Sequence, residues 1–296
     1  MIQFSHVSKS FDTKKVLDDM TWEVPQGSIF GLVGPNGAGK STILRLISGV
    51  LLPNQGEITI AGQNVYNNPS VKKKILFVPD DPYFLPQSTM KEMRKFYEIF
   101  YPSFKESMYR KLLNNFPINE NEKISNFSKG MKRQANIILA LSIMPEILLL
   151  DEAFDGLDPV MRLTLKRILS DQLLERKFTV VISSHNLREL EDICDRIALI
   201  SDCKIGLNDE VETIRAIYHK FQVGYTIIPE IEVFTRFNPM HLDVRGNVAV
   251  LVVKGDSIEL MKQLNETHPV LLDEIPITME EVFVYEMEGK GYGQIV

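Results

Sequence analysis

The chain is poor in cysteine, in long apolar runs and in clustered positive charge. Cys194 and Cys203 are its only cysteines, too few for a disulfide framework, so we expect a protein of the reducing cytoplasm. The longest apolar stretch, residues 137–150, is interrupted by Pro145 and Glu146 and is shorter than the roughly 20 residues that span a bilayer. The N-terminal segment MIQFSHVSKSF lacks the apolar core of a secretory signal. We therefore expect no membrane-spanning segment.

The charge balance argues against a nucleic-acid partner. The formal net charge is -6, and the longest basic run, residues 72–74, is typical of a solvated loop. Apolar residues make up 44% and charged residues 24% of the 296 residues, as in globular proteins. This length predicts one large domain with an appendage, or two domains.

Residues 34–42 read GPNGAGKST and fit the pattern G-x-x-x-x-G-K-[ST] of phosphate-binding loops. The apolar run at residues 28–33 predicts a strand before the loop. Apolar residues at helical spacing over residues 41–52 predict a helix after it, which Pro53 ends. Strand, loop and helix are the context that a phosphate-binding loop requires. A purely structural glycine turn is the alternative interpretation.

In such a loop the main-chain N–H groups and the helix N-terminus attract an anion. Lys40 would contact the β- and γ-phosphates, and the Ser41 hydroxyl would bind Mg²⁺. The predicted nucleotide-binding residues of the loop are Gly34, Pro35, Asn36, Gly37, Ala38, Gly39, Lys40, Ser41 and Thr42.

Residues 147–152 read ILLLDE, an apolar run that ends in two acids. Such a run predicts a strand buried on both faces of a parallel sheet, with the acids at the edge where ligands bind. Because successive residues of a strand point to opposite faces, we expect different roles for the two acids. Asp151 is assigned to Mg²⁺, and Glu152 to the water that attacks the γ-phosphate. An acidic cap on a following turn would explain one acid but explains the pair poorly.

A second apolar strand, within residues 178–185, ends at His185. Its end is expected at the same sheet edge, where a ring nitrogen of His185 can contact the γ-phosphate. A hydrogen-bonded structural histidine is the alternative.

Together these residues resemble the nucleotide-binding subunits of ATP-binding cassette (ABC) transporters, over about residues 1–215. The resemblance makes residues 34–42 the Walker A loop, residues 147–151 the Walker B strand, Glu152 the catalytic residue and His185 the switch histidine. It further implies that Phe11 stacks on adenine and that Asp158, in the sequence GLDP, belongs to the D-loop at the nucleotide.

The fold that the resemblance implies is an α/β P-loop ATPase with a mixed sheet and a helical signature subdomain at about residues 87–140. A small α+β extension at residues 216–296 follows the cassette. The implied ligands are ATP and Mg²⁺.

Residues 127–131, FSKGM, stand where the family has the signature loop LSGGQ. Ser128 and Gly130 keep the hydroxyl and the close backbone approach, at the start of a helix predicted to run through residues 133–144. Three of the five letters depart from the family pattern. A weakly hydrolysing regulatory cassette is therefore an alternative to a full ATPase.

Asp80, in the sequence FVPDDP, stands where the family usually has glutamine. A carboxylate is a harder ligand for Mg²⁺ than an amide oxygen, so we expect Asp80 to keep a metal role. A solvated acid in a turn is the equally weighted alternative.

Residues 91–101 combine several aromatic side chains with a helical pattern. The family uses this helical insertion to contact membrane subunits. The aromatic residues are expected to fill the core, to form a docking groove for a coupling helix, or both.

The last eighty residues change to short elements. Strands are predicted at residues 223–228, 231–234 and 248–253, a helix at residues 256–265, and a capping box at residues 278–281. A similar tail with an acidic EEVF sequence occurs in exporters of the ABC-2 kind. We expect an interaction or dimer-supporting role, with a ligand-sensing tail as the alternative.

The resemblance implies a head-to-tail dimer, either of two copies or with a related subunit, in which each ATP lies between one Walker A loop and the other signature loop. The dimer would bind integral membrane permease subunits at the inner face of the cell membrane. The expected activity is ATP hydrolysis coupled to export of a peptide, drug or lipid-like substrate, as in bacitracin-type exporters. A soluble ABC ATPase that acts on ribosomes or DNA is the alternative.

Overall fold

The computed structural model describes residues 1–288 and contains two compact units. The first unit is Met1–Ile205, and the second begins at Gly206. Residues 289–296 of the predicted extension lie outside the described residues.

The first unit has an antiparallel and a parallel sheet. Its strands are β1 (Ile2–Phe11), β2 (Lys14–Val24), β3 (Ile29–Val33), β4 (Gln55–Ile60), β5 (Gln63–Asn64), β6 (Ile75–Val78), β7 (Ile147–Asp151), β8 (Thr179–Ser184) and β9 (Arg196–Ser201). The antiparallel sheet has the order β2–β1–β4–β5, and the parallel strands of this unit have the order β9–β3–β8–β7–β6. The α/β fold with both kinds of sheet confirms the predicted fold class.

Helices cover and connect these sheets. They are α1 (Lys40–Ile47), α2 (Pro69–Lys72), α3 (Met90–Phe100), α4 (Glu106–Leu113), α5 (Lys129–Ser142) and α6 (Pro159–Glu175).

Two of these helices differ from their predicted bounds. The prediction that the helix after the phosphate-binding loop extends to residue 52 is wrong, because α1 ends at Ile47 and Gly49 follows with a positive φ of 67°. The helix α5 begins within the signature loop as predicted, because the Ser128 hydroxyl accepts a hydrogen bond from the Met131 N–H and caps it there, but it ends at Ser142 rather than Met144.

An aromatic cluster joins the two sheets of the first unit. The Phe4 ring of β1 stacks on Trp22 of β2 at 4.6 Å between centroids, and Trp22 lies 5.3 Å from Phe30 of β3. The apolar residues of α1 and Leu149 of β7 belong to the same buried cluster. The core thus fixes the loop that precedes α1 against the parallel sheet.

Strand β10 (Lys204–Glu210) spans the division between the units. The second unit then contains α7 (Val211–Ile217), β11 (Tyr218–Gly224), α8 (Glu232–Thr235), β12 (His241–Arg245), β13 (Val248–Lys254), α9 (Ser257–Asn265), β14 (Leu271–Ile275) and α10 (Met279–Glu288). Its antiparallel sheet has the order β12–β13–β11–β14 and packs around the fully buried Phe221 and Phe234.

Two local predictions for the second unit have clear outcomes. The predicted strand at residues 231–234 is wrong, because this segment forms the short helix α8, which buries Phe234. The capping box is confirmed: Thr278 N–H donates to the Glu281 carboxylate at 2.9 Å, and Glu281 N–H donates to the Thr278 hydroxyl at 3.2 Å. Within residues 1–288, every helix is too short or too polar to cross a bilayer.

We expect Leu149→Ala to lower the free energy of unfolding by about 2–5 kcal/mol, because Leu149 is fully buried in β7 and its truncation leaves a cavity. Leu163→Ala is the control, since Leu163 on α6 is 64% exposed and should change stability by less than about 0.5 kcal/mol. Urea unfolding followed by circular dichroism measures both. Equal losses in the two variants would contradict the placement of β7 in the core.

Candidate functional site

The candidate site is a groove at the carboxyl edge of the parallel sheet. Adjacent strands β3, β8, β7 and β6 all end at this edge. The groove is lined by residues from several separate segments: Phe11, Lys14, Val16, Asn36, Gly37, Gly39, Lys40, Ser41, Thr42, Asp80 and Glu152.

The loop between β3 and α1 contributes Asn36, Gly37 and Gly39 to the groove. Gly39 has a φ of 106°, and a Cβ at this position would lie 2.9 Å from Leu17 Cδ2, so only glycine fits without displacing its neighbours. The N-cap residue of α1 is Gly39, which has no side chain to cap the first turn, so the N–H groups of this turn can bind an anion.

Lys40 is 5% exposed, and its ammonium group is held inside this loop. Its Nζ donates to the carbonyl oxygens of Gly34 at 2.8 Å and Pro35 at 3.2 Å, and lies 3.3 Å from Glu152 Oε1. The buried charge is therefore compensated, and it is fixed next to the acid at the end of β7.

Asp151 and Ser41 form a pair of oxygen ligands. Ser41 Oγ donates to Asp151 Oδ1 at 3.0 Å, although the two residues are 110 positions apart in the sequence. A hydroxyl and a carboxylate are the donors that Mg²⁺ prefers, so this pair fits a magnesium ion. Among residues 1–288, no three His, Cys, Asp or Glu side chains group as a metal site.

Ser183 orients both acids, and the sequence interpretation missed it. Its Oγ donates to Asp151 Oδ1 at 2.6 Å and accepts a hydrogen bond from the Glu152 N–H at 3.0 Å. Asp151 and Ser183 are direct partners in the ladder between β7 and β8. The polar end of the predicted strand was the available signal, because a fully buried serine at a strand end needs a partner.

Glu152 lies just beyond β7 and adopts a left-handed backbone conformation, with a φ of 49°. Strand alternation therefore does not set its direction, which corrects that part of the prediction. Its Oε2 lies 2.9 Å from His185 Nδ1 and 3.3 Å from the His185 N–H. Since a carboxylate only accepts, Nδ1 carries the proton in this contact. Glu152 thus joins Lys40 and His185 at the groove.

Phe11 lies at the mouth of the groove with 43% of its surface exposed. The Lys9 ammonium lies 5.1 Å from the centre of its ring. Lys14 and Val16 also line the groove, and sequence analysis did not identify them. An exposed ring beside a phosphate-type loop offers a stacking surface for a base.

Eight predicted site residues are not among the described residues that line the groove: Gly34, Pro35, Ala38, Ser128, Gly130, Asp151, Asp158 and His185. Five of them belong to the phosphate-binding loop or contact a lining residue, as Asp151 contacts Ser41 and His185 contacts Glu152, whereas Ser128, Gly130 and Asp158 lie on other segments. Ser128 caps α5, and the Asp158 carboxylate caps α6 by accepting from the Met161 N–H at 3.0 Å. Asp80 lines the groove, but its carboxylate is paired with Arg133 of α5.

The model of the family described as "ABC transporter" matches residues 17–155. The ABC transporter ATP-binding protein YtrB of Bacillus subtilis (strain 168) is 31% identical over 290 residues, which cover 98% of this chain and 99% of YtrB. The bacitracin transport ATP-binding protein BcrA of Bacillus licheniformis is 31% identical over 69% of this chain and 68% of its own length. A solved structure of an ATP-binding subunit of an ABC transporter superposes with a TM-score of 0.67 and 27% identity, over 73% of this chain and 92% of that chain.

Ser183→Ala removes the hydrogen bonds that orient Asp151 and Glu152. We expect the kcat of ATP hydrolysis to fall about tenfold to a hundredfold, with a smaller change in nucleotide affinity. Steady-state phosphate release and the binding of a fluorescent ATP analogue measure the two effects.

Ser142→Ala is the control for this variant. Ser142 is also fully buried, but its hydroxyl donates to the Ile138 carbonyl oxygen within α5. The orienting role of Ser183 would be wrong if both variants had the kcat of the unmodified protein.

Proposed function

The chain belongs to the ATP-binding subunits of ABC transporters, and from this premise we propose that it couples ATP hydrolysis to export through separate membrane subunits. The observation that supports hydrolysis is the Glu152 carboxylate, which lies 3.3 Å from Lys40 Nζ and 2.9 Å from His185 Nδ1. An acid beside the phosphate-binding lysine can accept a proton from an attacking water. Glu152 is therefore the proposed general base.

The phosphates of ATP would bind where the loop N–H groups and Lys40 converge. Binding in this position lets a phosphate oxygen replace the Glu152 contact of Lys40, while the carbonyl oxygens of Gly34 and Pro35 still orient its Nζ. Phe11 provides the stacking surface for adenine at the open end of the groove.

Ser41 and Asp151 would hold Mg²⁺, and Asp80 is the proposed third protein ligand. When bound, the ion neutralises charge on the phosphate oxygens. Arg133 donates to Asp80 Oδ1, so Asp80 would hold the ion through Oδ2 while it keeps this pair.

His185 would link Glu152 to the γ-phosphate. Its Nδ1 already donates to the Glu152 carboxylate, so its Nε2 is the nitrogen left for phosphate. A phosphate oxygen also accepts hydrogen bonds, so an imidazole that bridges the two acceptors must carry a proton on both nitrogens. His185 is therefore proposed to contact the γ-phosphate through Nε2 while Nδ1 holds Glu152.

A second ATPase subunit, either another copy or a related chain, would complete the site. Ser128, Gly130 and Asp158 belong to segments outside the groove of their own chain, so we assign their nucleotide contacts to the groove of the partner subunit. ATP would then close the dimer, and hydrolysis would reopen it.

Glu152→Gln should bind Mg·ATP, accumulate as an ATP-dependent dimer and hydrolyse ATP about a hundredfold to ten-thousandfold more slowly, because an amide cannot accept the proton. Size-exclusion chromatography with light scattering and phosphate release measure these effects. Glu146→Gln is the control, since Glu146 precedes the opposite end of β7 and is paired with Lys74 in solvent. Unchanged turnover by Glu152→Gln would refute the assignment as base.

An apolar face of α3 is the proposed docking surface for a membrane subunit. Phe96, Ile99 and Phe100 lie at spacings that share one side of the helix and are 37%, 76% and 63% exposed. The Phe96 and Phe100 rings lie 4.6 Å apart. The occupant would be an amphipathic cytoplasmic helix of the permease, whose apolar side covers these residues. The subunit would thereby sit at the inner face of the membrane.

Ile99→Asp should abolish co-purification with the cognate permease, because a charge at the centre of the apolar face opposes its burial. The ATPase rate of the isolated subunit should stay within about twofold of the unmodified rate. Leu174→Asp on α6 is the control, since Leu174 is also exposed, at 87%. Retained permease binding by Ile99→Asp, or equal loss in both variants, would contradict the assigned surface.

The cargo is proposed to be a peptide, drug or lipid-like substrate. Two features support export of this class: the relative named for bacitracin transport and the α+β tail, which resembles that of ABC-2 exporters. The tail is proposed to support interaction with a partner subunit.

A further inference from the structure

Arg133 of α5 joins three separate segments of the first unit. The side chain is 3% exposed, and its Nη2 donates to the Asp80 carbonyl oxygen at 2.9 Å and to the Asp80 carboxylate. Its Nη1 donates to the Asp155 carbonyl oxygen and lies 3.5 Å from the Asp155 carboxylate. Asp80 follows β6, whereas Asp155 follows β7. The Arg133 guanidinium therefore links α5 to two loops at the groove edge.

The loop at Asp155 is also the turn that carries Glu152. The Asp155 N–H donates to the Glu152 carbonyl oxygen at 3.1 Å. A displacement of Asp155 is therefore transmitted directly to the main chain of the proposed base.

A close backbone contact lies one turn before Arg133. A Cβ at Gly130 would lie 2.6 Å from the Gly156 carbonyl oxygen, so α5 approaches the turn after Glu152 with no space for a side chain. Arg133 follows Gly130 by three residues, and the two therefore fasten the same end of α5. The position of the Ser128 and Gly130 loop relative to Glu152 depends on both contacts.

Lys129 adds an outer ion pair to this arrangement. Its Nζ lies 2.9 Å from Asp155 Oδ2, and this hydrogen bond lowers the pKa of Asp155. The two side chains are 68% and 42% exposed, so solvent weakens their attraction. The buried Arg133 contacts are therefore the stronger constraint.

We infer that Arg133 is a positioning residue of the ATPase, which sets the signature loop of one chain at the distance from Glu152 that a closed dimer requires. A buried ion pair adds little net stability but restricts geometry, and a planar guanidinium holds two loops in a way that a single ammonium cannot. Asp80 and Lys129, which depart from the family pattern, are both part of this network. The inference rests on the proposed ATPase function.

Arg133→Lys tests the inference because it keeps the charge and removes the fork of donors. We expect the monomer to bind a fluorescent ATP analogue with Mg²⁺ within about twofold of the unmodified affinity, because Arg133 does not line the groove. In the Glu152→Gln background, the ATP concentration for half-maximal dimerisation should rise about tenfold, and in the otherwise unmodified chain kcat should fall about tenfold.

Arg176→Lys is the matched control. Arg176 also fastens a loop, by donating to the Pro145 carbonyl oxygen before the amino end of β7, and to Gln172 Oε1 at 2.9 Å. It should leave dimerisation and kcat within about twofold of the unmodified values. If Arg133 had only a structural role, Arg133→Lys and Arg176→Lys would change dimerisation and kcat by the same amount.

Asp155→Asn gives a second measurement if Arg133→Lys does not fold. The Asp155 side chain is 42% exposed and is not among the described residues that line the groove, and the amide keeps an acceptor for Arg133 without its charge. We expect a dimerisation shift of about threefold, and a smaller shift when Asp155→Asn is added to a folded Arg133→Lys variant.

Two results would contradict the inference about Arg133 but leave the proposed ATPase function intact. One is an Arg133→Lys variant with unmodified dimerisation and kcat. The other is an Arg133→Lys variant whose ATP affinity and ATP-dependent dimerisation fall by the same factor. Absence of Mg·ATP binding by the unmodified chain would instead refute the proposed function, and the inference with it.

Discussion

Parallel pairing of β3, β8, β7 and β6 is the constraint on which the site depends. The pairing is in register at the strand ends, with Val33 opposite Ser184 and Asp151 opposite Ser183. Four connections therefore leave the sheet at one edge, although they are far apart in the sequence. A shift of one residue in β7 would turn Asp151 to the other face and break its contacts with Ser41 and Ser183. The buried apolar runs that fix this register thus also fix the chemistry.

The edge formed by the phosphate-binding loop, β7 and β8 could be predicted from the sequence because each of these three segments carries a local signal. The phosphate-binding loop combines glycines and a lysine at fixed spacing, and β7 and β8 are uninterrupted apolar runs that end in polar residues. Parallel strands align such ends without further information. The bounds of α1 and α8 were not predictable in this way. Gly49 ended α1 before Pro53, and a four-residue segment with three apolar residues, IEVF, fits a short helix as well as a strand.

Contacts between side chains that are far apart in the sequence could not be predicted from it. Nothing near Ser183 indicates that its hydroxyl joins two acids, and nothing near Asp80 indicates that Arg133 holds its carboxylate. The backbone of Glu152 is a similar case, since a left-handed φ of 49° costs of the order of 1 kcal/mol and persists only where neighbours enforce it. Here the Ser183, Lys40 and His185 contacts do so.

The charges in the groove favour a divalent cation beside the proposed nucleotide. Asp151 and Glu152 place two carboxylates beside Lys40, and a triphosphate would add several more negative charges. One ammonium group and the N-terminus of α1, worth about half a charge, cannot balance them. A magnesium ion held by Asp151 would remove the largest repulsion and leave the Glu152 carboxylate to take a proton. On the proposed function, the acid pair at the end of β7 would therefore divide into a metal-binding member and a proton-accepting member because of where each carboxylate lies.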